Sequence, residues 1–252
     1  MLKKDKFTEE TKKEISLQGK DKNFKLVSKK WIIESTKKKY SYHFKWLGRP
    51  IIQHPQDIIA MQELIFRIKP DLIIETGIAH GGSLVFYSSV LELVSLCGGP
   101  KNSKVLGIDI DIRKKNLLKI NKHPMKKRIA MFEGSSISKS IFDKVKKFSK
   151  NYKNIMVILD SNHTHEHVLN ELRLYGPLVS IRNYCVVFDT IIKDLPDGLG
   201  PKREWSSKKN PYTAVAQFLR ENKNNKLKFK IDKEIENKLM ITACPSGFLL
   251  RI

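Results

Sequence analysis

Short unbroken apolar runs alternate along this chain with longer stretches in which apolar residues recur every three or four positions. The unbroken runs fall at 72–74, 105–108, 155–159 and 184–188, and Arg128 to Phe132 reads as a third short strand between them. An apolar run with no polar alternation reads as a strand buried on both faces, as in a parallel sheet. Between the runs lie helical faces. Ile58, Ile59, Met61, Leu64, Ile65 and Ile68 form one face of a helix that starts at Pro55 and is stopped by Pro70. Further helices are predicted after Ser83, over R-K-K-N-L-L-K-I, over Ile137 to Phe148, over H-E-H-V-L-N-E-L-R-L-Y-G and from Pro211. Strand–helix alternation predicts an α/β fold around a mostly parallel sheet. Residues 239–243 and 248–252 read as two closing strands joined at Cys244-Pro245-Ser246-Gly247.

The first run opens the most informative stretch, D-L-I-I-E-T-G-I-A-H-G-G-S at 71–83. The strand ends in Glu75, and a turn carrying Gly77, Gly81 and Gly82 leads through Ser83 into a helix. Such a turn lets a ligand touch backbone and offers unpaired N–H groups at the helix start. The glycine spacing is not that of the dinucleotide fingerprint G-x-G-x-x-G. The second strand ends in Asp109, placed where an acidic residue can accept hydrogen bonds from ribose hydroxyls. Asp111 is an alternative, or a cap for the next helix. After the third strand, Glu133-Gly134-Ser135-Ser136 forms a turn in which a serine can cap the following helix.

A second stretch, D-S-N-H-T-H-E-H at 160–167, packs three imidazoles and two carboxylates into eight residues. Zinc is disfavoured, because H-E-x-x-H is missing and no thiolate lies nearby. Oxygen ligands suit Mg²⁺. Asp160 ends the fourth strand and Asp189 follows the fifth, so a doubly wound sheet brings both to the crevice that Gly77 faces. His165 and His167 fit the surface or the start of a helix. Residues 190–211, containing Trp205, form an irregular segment that can close over this crevice.

The segments G-R-P-I, E-T-G-I-A-H-G-G-S, G-I-D-I-D-I-R, L-D-S-N-H-T-H-E-H-V-L-N-E-L, Y-C-V-V-F-D-T and P-S-G-F-L-L-R-I resemble the cephalosporin hydroxylase / rhamnosyl O-methyltransferase family, in the family's order and over residues 45–252. The resemblance implies a Rossmann-like class I methyltransferase fold: a seven-stranded, mostly parallel sheet with an antiparallel C-terminal hairpin and an N-terminal helical cap. It implies S-adenosylmethionine held by Glu75, Gly77, Gly81, Gly82, Ser83 and Asp109, with Ser135 at the adenine edge. It further implies Mg²⁺ on Asp160 and Asp189 and a catalytic base at His163. The acceptor is then a hydroxyl of a sugar, in a glycolipid, a polysaccharide or a related small molecule. One departure stands out. Metal-binding relatives have adjacent acids, Glu-Asp, where this chain has Phe188-Asp189. A cephalosporin-hydroxylase-type oxidoreductase, a nucleic-acid methyltransferase and a non-catalytic relative are the rival readings.

Composition changes this picture little. The formal net charge of +22 over 252 residues invites a nucleic-acid partner, yet Arg supplies only nine of the 48 basic residues. Dispersed lysines read as solvated surface, since phosphate recognition favours the planar Arg fork. Cys97, Cys185 and Cys244 include no C-x-x-C pair and fit reduced thiols in a cytoplasmic protein. Neither a membrane span nor a secretory signal is evident. The expected organisation is a basic N-terminal arm and cap at 1–45 and a catalytic domain at 46–252. Residues 1–27 read as a mobile or loosely packed helical arm. From 28 to 46, Trp31, Tyr40, Tyr42, Phe44 and Trp46 alternate with lysines. That pattern suits a membrane-surface or sugar-contacting patch, or more simply an amphipathic cap over the domain. Peripheral membrane contact and homo-oligomerisation are compatible with it.

Overall fold

The computed structural model describes residues 5–199 and 204–252. The expected α/β architecture is present. Its helices are α1 (Lys6–Gln18), α2 (Lys22–Lys37), α3 (Pro55–Ile68), α4 (Gly82–Leu96), α5 (Lys114–Asn121), α6 (Lys139–Ser149), α7 (His165–Tyr175), α8 (Pro211–Glu221) and α9 (Lys233–Leu239). A two-residue ribbon pairs β1 (Lys45–Trp46) with β2 (Arg49–Pro50). The main sheet holds β3 (Leu72–Thr76), β4 (Lys104–Asp109), β5 (Ile129–Glu133), β6 (Ile155–Leu159), β7 (Tyr184–Val187), β8 (Phe229–Ile231) and β9 (Phe248–Arg251). Its seven strands run in the order β5-β4-β3-β6-β7-β9-β8. The first five in that order are parallel; β9 is antiparallel to both β7 and β8.

Alternate residues of each central strand feed opposite faces, as the period of two requires. Ile73, Met156, Ile158 and Val186 join α3 and α4 through Met61, Leu64, Leu84 and Phe86. Leu72, Ile74, Val157 and Leu159 join α6, α7 and α8 through Ile141, Val145, Leu172 and Phe218. Both faces are therefore covered, which accounts for the lack of polar alternation in β3 and β6. The order reverses between β4, β3 and β6, so the carboxyl ends of these strands border one crevice.

Two expectations need correction and one is narrowed. Residues 239–243 are not a strand: α9 ends at Leu239, and Met240 turns the chain with φ 57°. Buried Asp57 captures this turn, accepting hydrogen bonds from the Thr242 hydroxyl and, at 2.8 Å, from the Ala243 N–H. The partner of β9 is instead Phe229–Ile231. The N-terminal arm is helical and loosely packed, one of the two forms expected for it. Although α1 buries no residue, Gln18 Nε2 donates to Asn237 O and Lys238 O on α9 at 2.7 and 3.2 Å. Finally, α6 is capped by Ser138, whose Oγ accepts from Ile141 N, and Asp111 caps nothing because Arg113 holds the N-cap position of α5.

Candidate functional site

The glycine turn is braced on every side by protein. Asp109 Oδ2 accepts hydrogen bonds from the N–H groups of Ile78 at 2.7 Å and Ala79 at 3.1 Å. Its Oδ1 accepts from Asp111 N at 3.1 Å. From the other side, buried Arg49 donates to His80 O through Nε at 3.0 Å, and to Asn116 Oδ1 through Nη2 at 3.0 Å. Asn116 Nδ2 then donates to Ala79 O at 2.9 Å. Sequence reasoning missed this Arg49–Asn116 bracket. G-R-P-I was noticed as a motif, but nothing local shows that its guanidinium reaches a loop thirty residues away.

The glycines also have a packing reason to be glycines. A Cβ on Gly77, at φ 92°, would lie 2.1 Å from Asp160 O. On Gly82 it would lie 2.0 Å from Pro50 O. Backbone thus meets backbone at the floor of the crevice, which brings β3, β6 and the β2 ribbon together.

Glu75 lies in that floor with no exposed surface. Ser83 Oγ donates to its Oε2 at 2.8 Å, while its Oε1 has no partner. Burial pushes its pKa up to about 8, against the Ser83 hydrogen bond that lowers it; the Asp109 charge adds to the rise. Gln53, whose Oε1 is likewise buried without a partner, lines the same cleft together with Gly77, Ile78, Ser83 and Asp160. The unpaired Gln53 oxygen among these backbone groups fits a ligand that brings hydrogen-bond donors or a cation, as the amino-acid end of S-adenosylmethionine does. Ser135 sits in the turn after β5, where its carbonyl accepts from Ser138 N at 3.0 Å and Ser138 Oγ at 2.8 Å.

Next to this cleft, one ligand atom from each of Asp160, His163 and Asp189 lies within 4.8 Å of the others. His163 Nε2 is 3.0 Å from Asp189 Oδ2. Asp189 holds a left-handed backbone conformation, φ 56°, which an aspartate tolerates at some cost and which turns its carboxylate into the site. The Asp160 carboxyl is driven well above the usual carboxylate range by desolvation and then by the charges of Asp189, Glu75, Glu171 and Asp57. A cluster of carboxylates in mutual repulsion is one that a divalent cation relieves, and two carboxylates plus water suit Mg²⁺. The set contains one imidazole and two carboxylates, not the 2-His-1-carboxylate triad of non-haem iron oxygenases. Phe188 points into the core, buried to 3%, so the missing acid of the Glu-Asp pair is replaced by packing. The Trp205 ring stands edge-on to His163 with centroids 5.1 Å apart, so the irregular segment does reach the crevice; its residues 200–203 lie outside the described ones.

The other two histidines serve the scaffold. His165 begins α7 and joins it to α8, with Nδ1 2.7 Å from Thr213 Oγ1 and Nε2 3.0 Å from Gln217 Oε1. His167 Nε2 lies 3.0 Å from Ser136 Oγ and 3.3 Å from Ser161 Oγ. Both hydroxyls also donate to fully buried Glu171, at 2.6 and 2.8 Å. This ties the turn after β5 to the residue that follows Asp160.

Similarity to known proteins agrees with this geometry. The family described as Rhamnosyl O-methyltransferase/CmcI matches residues 38–252. A rhamnosyl O-methyltransferase of Mycobacterium tuberculosis (strain ATCC 25618 / H37Rv) is 33% identical over 205 residues, covering 77% of this chain and 73% of that protein. One from Mycobacterium leprae (strain TN) is 30% identical over 211 residues, covering 82% of each. Among solved structures, CmcI with Mg and SAM superposes with a TM-score of 0.55 at 16% identity, covering 84% of this chain and 77% of that one. CalS11, a TDP-rhamnose 3'-O-methyltransferase, gives 0.52 at 12% identity, covering 79% and 81%. These structures share the fold, and the sequence match goes further: the chain belongs to the rhamnosyl O-methyltransferase/CmcI family.

Proposed function

We propose that the protein is an S-adenosylmethionine-dependent, Mg²⁺-assisted O-methyltransferase acting on a hydroxyl of a sugar in a glycolipid, polysaccharide or related metabolite. The observation that carries this reading is the convergence of Asp160, His163 and Asp189 beside the braced glycine turn. Bound S-adenosylmethionine supplies a methyl group activated on sulfonium, and Mg²⁺ supplies positive charge that favours the acceptor alkoxide. The 77–83 turn, Glu75 and Asp109 would hold the donor, with Ser135 on its adenine side, and Asp160 and Asp189 would hold the cation. His163 takes the proton from the acceptor hydroxyl, with Asp189 fixing its ring at 3.0 Å. Trp205, packed on that ring, limits its rotation and keeps water from its edge. What remains is alignment of acceptor oxygen and methyl carbon, which the two rigid turns provide. Among the described residues no helix is long and apolar enough to cross a membrane.

The test compares three proteins with S-adenosylmethionine, Mg²⁺ and a panel of rhamnosides. His163→Ala should keep S-adenosylhomocysteine and metal binding and lose about 10²–10⁴ in turnover, the usual worth of a positioned base. Asp160→Asn should bind metal more weakly by titration while retaining S-adenosylhomocysteine. Wild-type rates from His163→Ala in excess chelator would remove this mechanism.

A further inference from the structure

The aromatic–lysine stretch of the cap packs on His54, which lies within electrostatic reach of Asp189, and its placement suggests a task. Trp31 of α2 meets Tyr40 edge-on at 5.2 Å, and both rings meet His54, at 5.9 and 6.3 Å, with Tyr40 and His54 stacked at 22°. His54 immediately precedes α3 and is only 8% exposed, yet its Nδ1 has no hydrogen-bond partner. Burial lowers its pKa while the Asp189 carboxylate, near enough to act on it, raises it. Lys29, two residues before Trp31, reaches Asp194 Oδ1 at 3.0 Å. That ion pair anchors α2 on the 3₁₀ turn Thr190–Asp194, which begins beside the metal ligand. Trp31 and Tyr40 are each only half-buried.

We propose that Trp31, Tyr40 and His54 form the acceptor platform, on which the C–H face of a sugar ring rests while His54 Nδ1 bonds one of its hydroxyls. The inference rests on the sugar-methylating reading and adds the residues that seat the sugar. Flat apolar rings beside an unsatisfied buried polar atom match a pyranose, which presents C–H groups on its face and hydroxyls at its edge. A purely apolar acceptor would leave the His54 nitrogen orphaned. Trp31 and Lys29 precede the family match at 38–252, whereas Tyr40 and His54 fall inside it, so the chain's own N-terminal segment adds one of the three rings. It therefore bears on which sugar is accepted rather than on the chemistry of transfer.

The experiment uses full-length enzyme with Mg²⁺, S-adenosylmethionine and methyl α-L-rhamnopyranoside as probe acceptor, a catechol serving as the flat aromatic alternative. Trp31→Ala and, separately, Tyr40→Leu should raise the acceptor KM about tenfold, the scale of one aromatic contact, with kcat within about twofold. Trp31→Phe should recover most of the loss. Titrated S-adenosylhomocysteine affinity should be unchanged in all three. Saturation-transfer NMR on wild-type enzyme should label the ring C–H protons of the rhamnoside more strongly than its methoxyl. If wild-type enzyme methylates the rhamnoside and Tyr40→Leu and Trp31→Ala both keep its KM, the platform is overturned and sugar methylation stands. If the catechol is methylated and no glycoside is, the sugar reading falls and the platform with it.

Discussion

Glu75 shows how the burial of a single acid makes stability depend on pH. It is an acid at the end of a strand, wholly buried, with one oxygen unpaired and a pKa near 8. In the unfolded chain it ionises in the ordinary carboxylate range. Between these two values the folded protein keeps a proton that the unfolded chain has lost. Its contribution to stability is thus full at acidic pH and is lost as pH rises through about 8. Asp57, raised to about 7 by burial despite its bonds to Ala243 and Thr242, acts in the same direction. Glu75→Gln keeps an acceptor for Ser83 and removes the ionisation. The ligand-free variant should melt above wild type at pH 8.5, and the gap should shrink towards pH 5.5. A gap in melting temperature that stays constant across that range would show that Glu75 is not the titrating group. The anomaly at Glu75 was legible in sequence, because a charge at the end of an apolar run is out of place. The roles of Asp57, Gln53 and Arg49 were not, because each acts on residues far along the chain.

At the scale of elements, the strands that proved easiest to read were those buried on both faces: β6 lies at 155–159 as expected, and β7 ends one residue sooner. The C-terminal edge was misread because two signals conflicted. Leu239 to Ala243 is apolar and partly β-branched, but Met240 breaks it and Asp57, out of sight in sequence, holds the turn. Meanwhile L-K-F-K-I at 227–231 alternates apolar and basic residues with the period of an edge strand, and forms one. The glycine turn was read for its ligand and proves to be equally a joint between elements. Gly77→Ala should therefore destabilise the apo fold by more than about 2 kcal/mol, in the range expected for a backbone clash added to left-handed strain. Gly48→Ala is the control: its φ is 82°, but nothing lies within 4 Å of the added Cβ. It should cost only about 1 kcal/mol. Equal urea midpoints for the two variants would show that Gly77 does not need its close approach to Asp160. Loss of cofactor binding in a Gly77 variant has to be read against that measurement.

For the whole molecule the deciding quantity is charge. A net +22 on 252 residues attracts any polyanion at low salt, whatever the site does. Many of the positive groups stand on solvated helices, and several are locally paired. Lys37 meets Glu34 at 2.6 Å, Lys139 meets Asp143 at 2.7 Å, and Lys127 and Arg128 share Glu92 at 3.0 and 2.6 Å. Arg128, the member best shaped for bidentate phosphate binding, is buried and already committed to Glu92 and to Ser103 O. The crevice itself presents Asp160 and Asp189, acids that offer a phosphate backbone no positive partner unless a cation is bound. Nucleic acid should thus be held on the outside, by lysines, without register. Binding of a duplex or a structured RNA should fall steeply between 50 and 200 mM salt, by about tenfold or more for a few phosphate contacts, and should not differ between sequences. It should also leave the methylation rate of a sugar acceptor unchanged at physiological salt, because the two ligands use different surfaces. A sequence-selective complex that survives 200 mM salt and competes with S-adenosylhomocysteine would place the polyanion in the crevice and make nucleic acid, rather than sugar, the acceptor to pursue.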